Sequence, residues 1–144
     1  RGRVVVYGSQ KEFTGATILS AQAALRTGSG SVKILCSKNT IQIYSVKFPS
    51  VLKKEINNIQ QLKFFLNKEK ITSLLIGPGA GSSKKIKDIT ELILRKVKYV
   101  VLDADALTCF KVIRFVCKVF KKVFKCFCSS FNVLCIKCCK VFLK

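Results

Sequence analysis

The sequence predicts an α/β fold in which helices cover both faces of a mainly parallel sheet. Short runs of residues that are apolar on both faces recur along the chain, and segments with helical periodicity separate them. Glycine-rich or acidic turns follow several of the runs directly. Strands buried on both faces and alternating with helices are typical of a parallel sheet. Ligands of such sheets bind outside the carboxyl ends of the strands, so we expect a site there.

The composition limits the kinds of chemistry that the chain can perform. Its 144 residues suit one domain, and 49% of them are apolar. It has no His, which excludes Ser-His-Asp and Cys-His catalysis and any His-bound metal. No uncharged run reaches the roughly 18–20 residues of a membrane-spanning helix. The chain starts at Arg1 beside a strand-like run, so we expect no signal peptide and a longer natural product.

Two compositions meet near Thr108, although the whole chain carries a net charge of +20. Residues 1–108 contain every acidic residue, every Gly and both Pro. Residues 109–144 contain no acid, Gly, Pro or Ala, but are rich in Cys, Phe, Val and Lys. We therefore divide the chain into a folded unit, 1–108, and a tail, 109–144.

The first elements follow from local pattern. Residues 3–7 form an apolar β-branched run that predicts a buried strand. A helix is expected from Gly15 to Arg26, with Thr14 as its N-cap and a stop at the glycines of the 28–30 segment. Residues 31–36 predict a second strand.

The middle of the chain is harder to assign. Residues 41–46 are rich in β-branched side chains and predict an extended stretch, and a helical piece is expected ahead of Asn57. Residues 59–67 predict a short helix.

The last clear elements are two strands with a helix between them. Residues 71–76 predict a strand, and residues 99–102 predict another. Between them, residues 86–97 place apolar side chains on one helical face.

A tight glycine turn, residues 77–81, links the strand at 71–76 to the following helix. Glycines let a backbone approach a ligand closely, and the helix N-terminus adds positive potential. Ser82 stands where a P-loop or a GxGxxG motif requires Gly, so neither motif is present. The alternative is a connector that only needs unusual dihedral angles.

An acidic pair, Asp103 and Asp105, ends the strand at 99–102. Alternation along an extended chain predicts both carboxylates on one face, where they could hold a cation or a sugar hydroxyl. The alternative is that one of them caps the next helix or satisfies a loop. The lysines of 1–108 are scattered with few aromatics among them, so we expect no specific nucleic-acid partner.

Taken together, five ordered segments resemble the NAD(P)H-hydrate dehydratase family, whose fold is ribokinase-like with three α/β/α layers. The segments are RGRVVVYGS (1–9), FTGA (13–16), AALRTGSG (23–30), IGPGAG (76–81) and LDADAL (102–107).

The resemblance implies a function and a set of site residues. The family removes water from hydrated NAD(P)H, a small-molecule substrate, at the expense of ADP or ATP, and we expect Mg²⁺ with the nucleotide. It also implies a cytoplasmic enzyme; the oligomeric state stays open. The implied substrate-binding residues are Gly15, Ala16, Gly77, Gly79, Gly81, Asp103 and Asp105.

The resemblance covers about the first half of a catalytic domain. The family continues with a Pro-His-x-Gly-Glu stretch and a Gly-Ser/Thr-Gly-Asp turn that supplies the phosphate contacts and the catalytic Asp. This chain has no His and no Gly after Gly81, so those elements are missing. We therefore expect a truncated, inactive or frameshifted copy, with no catalytic residue of its own.

The tail allows three interpretations, and as a whole it is expected to be helical or disordered. Residues 110–128 place apolar side chains on one helical face and basic side chains on the other, as in a basic amphipathic helix. Such a helix could bind a membrane surface or nucleic acid without catalysis. Cysteines at Cys126, Cys128, Cys135, Cys138 and Cys139 could bind a metal, although their spacing is unusual for zinc. We prefer the third, out-of-frame translation, because the composition changes where the resemblance ends.

Overall fold

A computed structural model describes residues 2–109 and 133–136 of the chain. Five parallel strands and one antiparallel strand form a single sheet in the order β3-β2-β1-β4-β5-β6. The strands are β1 (Arg3–Tyr7), β2 (Ser31–Cys36), β3 (Leu52–Glu55), β4 (Ser73–Ile76), β5 (Tyr99–Asp103) and β6 (Val133–Ile136). The helices are α1 (Thr14–Arg26), α2 (Lys38–Lys47), α3 (Ile59–Lys68), α4 (Lys84–Lys96) and α5 (Asp105–Thr108), with a 3₁₀ turn at Lys11–Phe13.

The strand order changes direction between β1 and β4. From β1 the chain adds strands outward through β2 and β3, and it then returns to pair β4 on the other side of β1. Helices that leave the two sides in this way diverge, and the crevice between them lies at the carboxyl ends of the two central strands. The loops after β1 and β4 therefore meet at the point where this type of sheet binds ligands.

Helices pack on both faces of the sheet and form two separate apolar cores. Adjacent residues of β1 illustrate the division: Val5 belongs to the core beneath α3 and α4, and Val6 belongs to the core beneath α1 and α2. Both valines are buried, as expected for a strand covered on both faces. The predicted three-layer α/β/α architecture is confirmed.

Helices α3 and α4 begin at side-chain caps and bury one face. The Asn58 side chain accepts a hydrogen bond from the Gln61 N–H at 2.8 Å, and the Ser83 hydroxyl accepts one from the Ile86 N–H at 3.3 Å. On α4 the apolar stripe that the sequence predicts is buried, with Ile93 fully inaccessible. The predictions for both helices are confirmed, apart from shifts of one or two residues at their ends.

The predictions between residues 37 and 58 are wrong. Residues 41–46 lie in α2, because Thr40 and Tyr44, one helical turn apart, are both buried against the sheet. The helical piece expected ahead of Asn57 is instead β3, a short strand at the edge of the sheet. It contains two lysines, a composition that edge strands tolerate because charge opposes pairing with other chains.

Helix α1 also begins differently from the prediction. Thr14 is its first helical residue, and Phe13 takes the N-cap position without any side-chain hydrogen bond. The first turn of α1 therefore has no side-chain acceptor at its N-cap.

Only a small part of the tail can be compared with its predictions. Residues 133–136 form β6, which pairs with β5, so the expected helix or disorder is wrong there. Their β-branched and apolar sequence suits a strand, and the exposed edge of β5 supplies hydrogen-bonding partners. The amphipathic helix at 110–128 and the cysteines other than Cys135 lie outside the described residues. Within 2–109 and 133–136, no helix has the length and apolar character needed to cross a membrane.

Candidate functional site

The loops that follow β1 and β4 contact each other at the carboxyl edge of the sheet. The Gln10 N–H donates a hydrogen bond to the Gly79 carbonyl at 2.9 Å, and the Ala80 N–H donates one back to Gly77 at 3.0 Å. The first bond joins the segment that leads into α1 to the glycine turn at 77–81. The structure thus brings together two of the segments from which the sequence predicts a site.

The glycines of the turn are required by the protein itself. Gly77 and Gly79 have φ angles of +135° and +66°, which side chains rarely adopt. A Cβ at Gly77 would collide with the backbone of Asp103, and a Cβ at Gly79 would collide with the Phe13 side chain. The close approach at both glycines is therefore protein against protein, as the connector interpretation expects.

Gly81 completes the turn and contacts two other segments. Its φ angle is +81°, and a Cβ there would collide with the Gln10 side chain. Its N–H donates to the Asp105 carboxylate at 2.8 Å. The turn is therefore fixed to the loop after β1 and to the segment after β5.

Gly15 differs from the other candidate glycines, because a Cβ there would meet nothing within 4 Å. It lies in the first turn of α1, and Ala16 beside it is half-buried. Backbone N–H groups in a first helical turn lack intrahelical partners and favour an anion or a polar ligand group. Among the candidate glycines, only Gly15 has no protein atom in the space that a side chain would occupy.

The acidic pair does not continue an extended strand. The chain turns sharply at Ala104, whose φ is +38°, so the alternation that would place Asp103 and Asp105 on one face is lost. Asp103 accepts a hydrogen bond from the adjacent Ala104 N–H at 2.8 Å, while Asp105 holds the glycine turn. For Asp105 the alternative prediction, that one carboxylate satisfies a loop, is confirmed.

Sequence reasoning missed a buried polar network that fixes the loop after β1. The Ser9 N–H donates to the Thr17 hydroxyl at 3.0 Å, and the Ser9 hydroxyl lies 3.2 Å from the Tyr44 hydroxyl. Thr17 and Tyr44 are fully buried on α1 and α2. Nothing in the sequence pairs Ser9 with Tyr44, because the fold alone brings α2 beneath this loop.

An open cleft of about 380 Å³ lies beside the glycine turn. Its floor is formed by the carboxyl ends of β1 and β2, and one wall is the start of α4. Of the turn it includes only Ala80, and none of the predicted site residues lines it. Its polar lining consists of Tyr7, Ser9, Gln10, Ser37, Asn57, Ser83 and Lys85.

The described residues do not form a set of ligands for Mg²⁺. Nowhere in 2–109 and 133–136 do three or more His, Cys, Asp or Glu side chains cluster as metal ligands would. Of the two carboxylates near the turn, each already accepts a backbone hydrogen bond. We therefore derive no step through a metal ion.

Comparison with known proteins identifies the family of this chain. Residues 4–122 match the family model described as NAD(P)H-hydrate dehydratase. This chain belongs to that family. The match extends beyond residue 108, where the quoted motifs end, so the division between 1–108 and the tail stays a prediction.

Two curated members of the dehydratase family are similar to most of the chain. The bifunctional NAD(P)H-hydrate repair enzyme Nnr of Dictyoglomus turgidum is 32% identical over 121 residues, which cover 77% of this chain and 24% of that enzyme. The ADP-dependent (S)-NAD(P)H-hydrate dehydratase of Listeria monocytogenes is 27% identical over 112 residues, which cover 76% of this chain and 40% of that enzyme. The chain thus spans less than half the length of these dehydratases.

A solved structure supports the fold. A ribokinase-like superfamily protein from Enterococcus faecalis superposes with a TM-score of 0.62 at 23% identity, covering 76% of this chain and 39% of that protein. At this identity the similarity concerns the fold alone. The ribokinase-like architecture that the resemblance implied is confirmed.

Proposed function

We propose that this chain provides the substrate-binding side of an NAD(P)H-hydrate dehydratase site. The hydrated dinucleotide would lie at the carboxyl edge of the sheet, against the first turn of α1 and the glycine turn at 77–81. The observation that carries the proposal is the hydrogen bond between Gln10 and Gly79, which joins the loop that leads into α1 to the glycine turn at the point where the strand order reverses. Membership of the dehydratase family supplies the substrate class.

Each predicted residue has a distinct part in this proposal. Gly15 and Ala16 present backbone N–H groups to the substrate, in the open space above the first turn of α1. Gly77, Gly79 and Gly81 hold the turn in a conformation that other residues would not adopt. The Asp105 carboxylate fixes that turn by accepting a hydrogen bond from the Gly81 N–H. Asp103 lies at the edge of the site, and its carboxylate accepts a hydrogen bond from the Ala104 N–H.

The proposed family reaction needs more than these residues. It brings the terminal phosphate of ADP or ATP to the hydroxyl of the hydrated nicotinamide, and such a transfer depends on positioning and on neutralising charge. The segment 109–144 has no glycine for a phosphate-binding turn and no acid for a base. We therefore propose that the chain binds the substrate without turning it over.

The activity assay is direct. Hydrated NADH is incubated with the chain, Mg²⁺ and either ADP or ATP, and the recovery of NADH absorbance is followed. We expect NADH to be recovered at the same rate as in a control without enzyme. Nucleotide-dependent turnover that survives removal of host enzymes would contradict the proposal that the chain is inactive.

The binding assay uses a variant at the one candidate glycine that has space around it. Gly15→Val adds bulk where the substrate would approach, and no protein atom opposes it. Ala23→Val places the same valine side chain at an exposed position of α1, away from the first turn. Calorimetry with hydrated NADH should show binding that is lost in Gly15→Val and kept in Ala23→Val. Equal binding by both variants would contradict the site assignment.

We also propose that the protein acts in the cytoplasm. Cys36 and Cys109 are free thiols in the structure, as is usual for proteins kept in a reducing compartment. Fractionation of the cells that express the chain would test this.

A further inference from the structure

The cleft beside the glycine turn has one charged group in its lining, the Lys85 side chain. Lys85 lies in the first turn of α4 and is exposed. Its ammonium group donates to the Asn57 carbonyl at 3.5 Å, which carries it across toward the opposite wall. The nearest lining groups are otherwise hydroxyls, amides and apolar side chains.

No carboxylate neutralises this lysine within the described part of the chain. The ion pair found there joins Lys33 to Glu69, on another side of the sheet. Asp88, one turn further along α4, is not within ion-pair distance of Lys85. Glu55 is bonded to the Asn57 side-chain amide and lines a different cleft, against α3.

We infer that this cleft holds a phosphate-bearing part of the hydrated dinucleotide and that Lys85 is its charge partner. The inference rests on the proposed function, and it adds a binding residue outside the family segments that the sequence singled out. About 380 Å³ lies within the usual range of small-molecule sites and accommodates a nucleotide arm rather than the whole dinucleotide. Ala80 lines the cleft, so an arm bound there is continuous with a ligand bound at the glycine turn.

The hydroxyls of the lining suit the same ligand. The Ser9 hydroxyl lies 3.2 Å from the Tyr44 hydroxyl, and the Ser37 hydroxyl lies 3.2 Å from the Thr40 hydroxyl, so the floor of the cleft presents oriented polar groups. A phosphate next to one ammonium group and several hydroxyls gains charge-assisted hydrogen bonds. A nucleotide phosphate could come from the dinucleotide or from the ADP or ATP that the reaction consumes, and the experiment separates them.

The experiment measures binding to the full chain by calorimetry. The ligands are hydrated NADH, AMP, adenosine and ADP, and the variants are Lys85→Ala and Lys84→Ala. Lys84 is a matched control, because it has the same charge in the same helical turn but does not line the cleft. Circular dichroism checks that both variants keep the fold.

We expect Lys85→Ala to weaken the binding of hydrated NADH and of AMP by roughly fivefold, because a partly exposed charge pair contributes modestly to affinity. The binding of adenosine, which has no phosphate, should not change. Lys84→Ala should match the wild type, and Lys85→Arg should restore binding. Equal affinities of Lys85→Ala and Lys84→Ala for hydrated NADH would overturn the inference while leaving the proposed function in place. If Lys85→Ala weakened the binding of ADP alone, the inference would also be overturned, since the cleft would then bind the co-substrate. Failure of the wild type to bind hydrated NADH, with AMP binding intact, would overturn the proposed function instead.

Discussion

The carboxylate of Asp105 accepts a hydrogen bond from the backbone N–H of Gly81 at 2.8 Å, although 24 residues separate the two. A second contact lies beside it, since Gly77 packs against the backbone of Asp103 so closely that no Cβ would fit. The last residue of β5 and the segment that follows it therefore contact the two ends of the glycine turn. A sequence motif that resembles a ligand-binding turn is also a packing junction between two parallel strands.

Asp105→Ala should destabilise the protein more than Asp103→Ala. The Asp105 bond is half-buried and joins distant segments, so its loss leaves the Gly81 N–H without its partner, at a cost of about 1–3 kcal/mol. The Asp103 bond is exposed and reaches only the next residue, so its loss should cost less than about 1 kcal/mol. Urea unfolding of both variants measures the free energies, and equal losses would contradict a structural role for Asp105.

Alanine substitutions at Gly77 and Gly15 should act in opposite directions. Gly77→Ala forces a Cβ into the Asp103 backbone at a φ of +135°, and we expect the chain to lose its cooperative fold. Gly15→Ala meets open space in a helix and should stabilise the protein by up to about 1 kcal/mol. Thermal unfolding followed by circular dichroism compares the two. A Gly77→Ala protein with wild-type stability would show that the turn has another conformation.

Gly79→Val is a poor probe of ligand binding. The sequence suggests it as a test of close ligand approach, but a side chain at Gly79 would collide with Phe13 and have a strained φ of +66°. We expect a loss of stability whether or not a ligand is present. A Gly79→Val protein that melts at the wild-type temperature would contradict this packing.

Strand β6 should protect the edge of β5. Half of a doubly wound domain is expected to leave a sheet edge unpaired, and in the structure residues 133–136 pair with β5. Leu134→Pro removes a backbone donor from this strand, whereas Leu134→Val keeps its strand propensity. Light scattering on dilute protein should show aggregation of the Pro variant only. Identical behaviour of the two variants would mean that β6 does not contribute to solubility.

Stability should fall at alkaline pH because of Cys36. Burial, and to a smaller extent the nearby Glu55 carboxylate, raise the pKa of this thiol to about 11. The folded protein thus favours the neutral thiol, while the unfolded thiol ionises near pH ~8.5. The stabilisation is complete below that pH and is lost as the pH rises toward 11.

Urea unfolding at pH 8 and pH 10 tests this expectation. Between those values the wild type should lose roughly 1–2 kcal/mol more than Cys36→Ala, whose stability is lower at both pH values because of the cavity. The two proteins differ only at residue 36, so the difference isolates the thiol. Parallel losses would contradict a raised pKa at Cys36.

The sequence by itself determined most of the elements and the edge of the sheet at which the site is proposed. Apolar runs such as residues 3–7 and 99–102 predict buried strands, because a strand covered on both faces needs apolar side chains at consecutive positions. The periodicity of α4 is equally local. Five ordered motifs carry the family resemblance, which the family match confirms.

Only the tertiary structure decided what depends on residues far apart in the chain. Residues 41–46 are rich in β-branched side chains, but burial of Tyr44 against the sheet makes them helical, since packing outweighs weak local propensity. The contact between Asp105 and Gly81 and the position of Lys85 in the cleft have no signal in local sequence. Such contacts arise when parallel strands place their carboxyl ends side by side, and the strand order is a property of the whole fold.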